Sequence, residues 1–323
     1  MDNYEQFVIN LASGMKDSTS ANDILIAYSY GRLLEQGVYI SGNPDLENHR
    51  ANERYHNIIK RVVEANPIEY LEKDFDYMDS DIVFEYTLDI LKKIFGDSKE
   101  IIDAYKDFIK SIEISGDKSP MNGYVYRMVN TANNTSIFQT VIPTIKSQSS
   151  VTCLIHEFMH YYFQKNDIEY KKAYYEEILS ILFEKIASEY VEEDFKDKDF
   201  IRKIENIRLS SIHYHNSTKK DEMKLFKKAV LSVNNSDKDN YIKFLEDYEK
   251  HHARMSESYG IGYIYAESLY NLYKSDLSAF QKKMREIFSR ETSLQDTLDY
   301  FDINMCNKKV FEQAKNKIRL VTK

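Results

Sequence analysis

Ser150-Val-Thr-Cys-Leu-Ile-His156-Glu157-Phe158-Met159-His160-Tyr-Tyr-Phe163 is the stretch on which the rest of the chain turns. Val151, Leu154, Ile155, Phe158, Met159 and Phe163 cover most of a helical wheel, which predicts a helix buried on nearly every side. Two histidines four residues apart lie one above the other on such a helix. His156 and His160 can therefore ligate one zinc ion while Glu157 points at the water bound to it. A buried strip of two imidazoles and a carboxylate has to be satisfied, because unpaired buried polar groups are costly. A metal satisfies it; hydrogen bonds to neighbours in a purely structural helix are the alternative.

A catalytic zinc site usually takes three protein ligands and keeps its fourth position for water, so a third ligand is expected nearby. The segment from Tyr174 to Ala187 supplies candidates. Successive helical residues are rotated by ~100°, which places Glu177, Ser180 and Glu184 in one narrow stripe. Ile178, Leu179, Ile181, Leu182, Phe183 and Ile186 fill most of the remaining surface. A polar stripe on a largely buried helix needs a reason. Glu177 as ligand, with Glu184 or Ser180 behind it steadying an imidazole, provides one; the alternative is a helix whose glutamates face water, as Glu176 and Glu189 are expected to do.

Around this pair of segments the chain reads as mostly helical. Its 323 residues contain only 9 Gly and 4 Pro, with 42% hydrophobic and 30% charged residues, which excludes collagen-like, disordered and disulfide-scaffold classes. Helical spacing recurs over 22–37, 46–65, 80–95 and 99–113, broken at Gly42-Asn43-Pro44, Pro67 and Gly96-Asp97, and predicts an all-helical N-terminal lobe over 1–115. Two β-rich runs, Tyr124–Val129 and Ser136–Ile142, flank an Asn-rich turn and read as a hairpin. Further helices are expected near 150–165, 169–192, 198–212, 219–232, 238–258 and 261–289, with short ones near 294–300 and 308–317. The expected fold is mostly α with a small β-sheet. It has two lobes, 1–115 and a catalytic 116–323, and the zinc-binding helix pair lines a central cleft.

Net charge and cysteine content narrow the setting. A net charge of −8 argues against a nucleic-acid partner. No basic and apolar leader opens the chain, and no apolar run approaches the ~18 residues of a membrane span, so a cytoplasmic protein without a membrane partner is expected. Cys153 and Cys306 are too few for a disulfide framework and are read as reduced, Cys153 as a small core residue. Neither a phosphate-binding loop nor a dinucleotide fingerprint is present in the sequence.

The spacing His156-Glu-x-x-His160 followed by Glu177-x-x-Ser180-x-x-x-Glu184 resembles the signature of the M3 oligopeptidases, the thimet oligopeptidase and oligoendopeptidase F group of gluzincins. Phe138-Gln139-Thr140-Val-Ile-Pro is similar to the strand that precedes the zinc helix in that family and pairs with bound peptide. Tyr259-Gly260-Ile-Gly262-Tyr263-Ile-Tyr265 resembles its tyrosine-rich segment, where a hydroxyl faces the scissile carbonyl. His251 and His252 precede this segment at about the distance of a histidine of the family, and the segment from Ser293 to Met305 is similar to its closing part. The resemblance covers roughly residues 120–320. Two positions and the length depart from it: Met159 stands where the family usually has Gly, Phe163 where it often has His, and the chain is about half the usual length.

The resemblance implies a zinc-dependent endopeptidase of short, flexible peptides with one zinc per chain, held by His156, His160 and Glu177. The residues themselves give a matching mechanism: a zinc-activated water attacks, and Glu157 takes its proton and passes it to the leaving amine. The oxyanion needs a directional donor, and Tyr263 is the first choice, then Tyr259, with His251 or His252 assisting. Gly260 and Gly262 either approach substrate closely or separate two helices. The strand over Ile137–Ile142 either offers an open edge to an extended peptide or is an ordinary buried strand. Two other functions stay open, a zinc hydrolase of a non-peptide amide and a helical binding protein that has lost turnover. The oligomeric state is not fixed by the sequence.

Overall fold

Burial patterns along the helices explain their arrangement. The computed structural model describes residues 3–14, 24–25, 27–29, 31–32, 35, 53–66, 75–116, 123–130, 135–166, 168, 175–213 and 238–315, with the backbone alone at 53–56, 124, 126, 128–130, 135, 249–257 and 315. In chain order the elements are α1 (Asn3–Ser13), α2 (Glu53–Ala65), α3 (Ser80–Phe95), α4 (Lys99–Lys110), β1 (Ile112–Ile114), β2 (Tyr124–Asn130), β3 (Thr135–Ile142), α5 (Gln148–Lys165) and α6 (Glu176–Phe195). They continue with α7 (200–213), α8 (Lys238–Ser275), α9 (Leu277–Phe288), α10 (Leu294–Tyr300) and α11 (Lys308–Lys315). The helix expected over 219–232 and the hairpin turn lie outside the described residues, as do the breaks at 42–44 and 67. No helix among the described residues is long and apolar enough to cross a membrane.

α5 is the centre of the molecule. From Gln148 to Phe163 every residue except His160 is buried, so the helix needs a shell on all sides. α3, α4, α6 and the sheet supply it. α4 shows how such a wall is specified locally. The Ser98 hydroxyl caps its first turn by accepting from the Ile101 amide, and Ile101, Ala104, Tyr105 and Phe108 repeat at helical spacing on the buried face. Phe108 and Tyr105 then meet Phe158 of α5 edge-on, with ring centroids 5.6 and 5.5 Å apart.

The sheet has the order β1-β3-β2. β2 and β3 form the expected antiparallel hairpin, with Tyr126 opposite Gln139. β1 then adds to the other side of β3 in parallel, Ile112 opposite Thr140, because the chain turns out of α4 at Lys110 instead of running helical to 113. β3 is therefore the central strand, and its 140–142 end has no open edge. Thr140 donates its amide to the Ser111 carbonyl at 2.8 Å, and its hydroxyl bonds that of Ser111 at 2.9 Å.

α8 is one 38-residue helix that passes unbroken through Gly260 and Gly262, whereas the sequence allowed a break there; the break comes at Asp276, whose side chain caps α9. Its C-terminal half carries Ile261, Tyr263, Ile264, Tyr265 and Leu269 into the core around α5 and α6. Its N-terminal half carries Tyr241, Phe244 and Tyr248 into a smaller core with Tyr4, Phe7 and Val8 of α1. Ile90, Leu91, Tyr105 and Phe108, all before residue 115, lie in the main core with α5.

Candidate metal centre

His156 and His160 lie one turn apart on α5, and Glu177 faces them from the first turn of α6. Their ligand atoms converge: His156 Nε2 is 3.2 Å from His160 Nε2 and 3.2 Å from Glu177 Oε2, while His160 Nε2 is 3.6 Å from Glu177 Oε1. Among the described residues this is the group of His, Cys, Asp and Glu side chains close enough to hold one ion. Donors about 2.0–2.1 Å from a tetrahedral zinc sit about 3.3–3.4 Å from one another, close to these separations, with Glu177 meeting the two imidazoles through different oxygens. Behind them, His156 Nδ1 is 3.0 Å from Glu184 Oε2. A proton on Nδ1 bound to Glu184 leaves a lone pair at Nε2. The approach of that Nε2 to Glu177 Oε2, a buried oxygen with no hydrogen bond, is then unfavourable unless a cation lies between.

The electrostatics point the same way. Burial pushes the Glu157 carboxyl up to about 7, with Glu177 adding to the shift and His160 and Arg208 opposing it. Burial pushes His156 down to about 4. For His160 burial acts downward too, but the charges of Glu177 and Glu157 override it and raise the imidazole to about 9. Glu177 is held well below the usual carboxylate range: burial would raise it, and the two imidazoles outweigh that. In metal-free protein the proton on His160 thus stands in for a cation among the converging atoms.

Glu157 is 4% exposed and lies against Gly123, just before β2. A Cβ on Gly123 would sit 2.5 Å from Glu157 Cγ, so only glycine lets the strand come this close. Met159 is fully buried and does not interrupt α5. Cys153 is free and buried beside the Gly123 backbone.

The remaining residues singled out by the sequence fall in several places. Ser180 is buried on α6, and its hydroxyl has no hydrogen-bond partner among the described residues. Tyr263 is 2% exposed, and its hydroxyl bonds Glu205, in a small cavity also walled by Glu184, Lys185 and Arg208. It therefore lies behind the Nδ1 side of His156. Tyr259 keeps some exposed surface and is an electrostatic neighbour of Arg208. The side chains of His251 and His252 lie outside the described residues. Gly260 and Gly262 are helix-packing positions: added Cβ atoms would meet Ile59 Cγ2 at 2.6 Å and Glu177 Cβ at 2.7 Å. Phe138 packs on Tyr161 of α5 with ring centroids 5.1 Å apart, and Gln139 donates to Glu113.

Arg208 and Gly123 had no signal in the sequence. Arg208 reads as one charge on an amphipathic helix, and its partners lie 24 and 52 residues away. Gly123 precedes a strand and reads as a turn residue.

No model of a known family matches the sequence, and no curated protein does. The fold is similar to the crystal structure of an oligoendopeptidase F, provisionally so assigned, from Bacillus anthracis str. Ames. The match has 13% sequence identity and a TM-score of 0.51, and covers 98% of this chain and 61% of that one. The chain thus spans about three fifths of that protein's length, and a likeness at this identity is one of fold.

Proposed function

We propose that the protein is a zinc-dependent endopeptidase that hydrolyses short peptides. The observation that carries the proposal is the convergence of His156, His160 and Glu177 within 3.2 to 3.6 Å of one another, beside a buried glutamate one residue from His156. The likeness of fold to an oligoendopeptidase F supports a peptide as substrate. Free Cys153 and Cys306 suit a reducing, cytoplasmic setting, and the net charge of −8 suits a peptide better than a nucleic acid.

A zinc ion held by His156, His160 and Glu177 supplies Lewis-acid chemistry, acidifying water and polarising a carbonyl. The rest falls to the protein. Glu157, whose carboxyl burial pushes upward from the usual carboxylate range, takes the proton of the attacking water and releases it to the departing amine nitrogen. Glu184 orients His156 through Nδ1. Tyr263 is buried and bonds Glu205, so the partly exposed Tyr259 is better placed to reach the oxyanion. β2 is an edge strand of the described sheet and follows Gly123, which lies against Glu157, so an extended peptide paired along it would pass the base.

The test joins metal content to turnover. Protein purified without chelators is expected to carry about one zinc per chain, weakened in Glu177→Ala. Glu157→Gln is expected to keep the zinc and to lose peptide cleavage by about 10²–10⁴-fold. Full activity in that variant would sink the mechanism, and absence of zinc uptake would sink the site.

A further inference from the structure

Arg208 lies on α7 with its guanidinium buried against the back of the centre. Its Nη2 is 3.3 Å from His156 Nδ1 and is in direct contact with Glu184 Oε2. The same Glu184 oxygen is 3.0 Å from His156 Nδ1. Arginine only donates, so its hydrogen bond goes to Glu184 and not to a ring nitrogen that carries a proton. Glu184 Oε2 therefore accepts from two donors, Arg208 and His156. Its other oxygen, Oε1, is buried and has no hydrogen-bond partner among the described residues, so nothing on that side fixes the carboxylate. Glu184 also shares its surroundings with two further buried carboxylates, Glu157 and Glu177, and Arg208 is the buried guanidinium that offsets them.

We propose that Arg208 is a positioning residue of the metal centre. It pins Glu184 so that His156 must keep its proton on Nδ1 and turn the Nε2 lone pair to Glu177 and His160. The guanidinium acts through Glu184 and touches no reacting atom. This inference rests on the metal centre proposed above.

The experiment is a double-mutant cycle on zinc affinity, measured by chelator competition on wild type, Arg208→Met, Glu184→Gln and the double variant. Arg208→Met is expected to weaken zinc by about 10- to 100-fold, the range for partners of metal-bound histidines. In the Glu184→Gln background the same change is expected to do almost nothing, because its intermediary is gone. Arg208→Lys is expected to recover part of the loss, and Arg208→Gln to carry the cycle if Arg208→Met does not fold. Equal losses in both backgrounds, or no loss, would overturn the proposal.

A second readout needs no metal. Nitrogen-15 shifts of the His156 ring in chelated protein should report the Nδ1–H tautomer in wild type and a mixture of tautomers in the Arg208 variant. An unchanged tautomer would also overturn the role of Arg208. A wild type that binds no zinc would instead remove the endopeptidase reading and leave the tautomer measurement to decide on Arg208.

Discussion

Two protons govern the centre, one on Glu157 and one on His160. In metal-free protein the Glu157 pKa is raised from 4.5 to about 7, so the stability it contributes is full below 4.5 and is lost as pH rises to 7. His160 is raised from 6.5 to about 9, so its contribution is lost between 6.5 and 9. Between pH 8 and 9, of these two, it is chiefly His160 that titrates. The melting temperature of the chelated protein should therefore fall over that interval, and the fall should flatten in His160→Asn. Zinc must displace the same proton, so calorimetry at pH 7.5 in buffers of different ionisation enthalpy should find about one proton released per zinc. The tyrosines separate by the same kind of reasoning. Tyr263→Phe breaks a buried hydrogen bond to Glu205 and should cost about 1.5–3 kcal/mol of stability with kcat little changed. Tyr259→Phe should lower kcat by about 10²–10³-fold. The reverse pattern in paired melting and peptide-cleavage assays would return the oxyanion role to Tyr263.

The contact of α6 with α8 sets the position of Glu177. Gly262 lies against it so closely that a Cβ would be 2.7 Å from Glu177 Cβ and 3.1 Å from its carbonyl carbon. Alanine would gain about 1 kcal/mol of helix propensity, but forcing two helix backbones apart typically costs about 1–3 kcal/mol. Gly262→Ala should therefore be destabilising on balance and should weaken zinc, read by melting and chelator competition. At Gly260 the obstacle is the Ile59 side chain, which can shift, so Gly260→Ala should be milder.

Such contacts mark where the sequence stops being legible. His156, His160, Glu177 and Glu184 could be picked out because each pair is related by the local period of one helix, and α5 and α6 are buried enough to make polar stripes conspicuous. The central place of β3 could not, since β1 is three residues long and continues the helical spacing of α4. Nor could the continuity of α8, since glycine ordinarily argues for a break and only the close approach of Glu177 and Ile59 explains the pair. Arg208 was hidden for the plainest reason: its meaning lies wholly in contacts distant along the chain.

Across the whole molecule, stability and metal should be coupled unevenly. The main core holds α5 and α6, whereas α1 and the first half of α8 close a separate, smaller core. Zinc at 100 times its dissociation constant should add about 2.7 kcal/mol to the unit that binds it. Hydrogen exchange should accordingly slow in α5 and α6 when zinc is added and change little in α1. Uniform slowing would mean that the two cores open together. α8 belongs to both, and its backbone is helical without interruption from Tyr248, packed near Tyr4, to Gly262, packed on Glu177. The two faces are therefore locked in rotational phase. One residue inserted between them would swing one face about 100° away from its partner, whereas seven would bring both back to nearly the same bearing about 10 Å further apart. Spacing along this rod, more than the identity of the residues filling it, keeps the distant N-terminal helix and the glutamate of the centre in step.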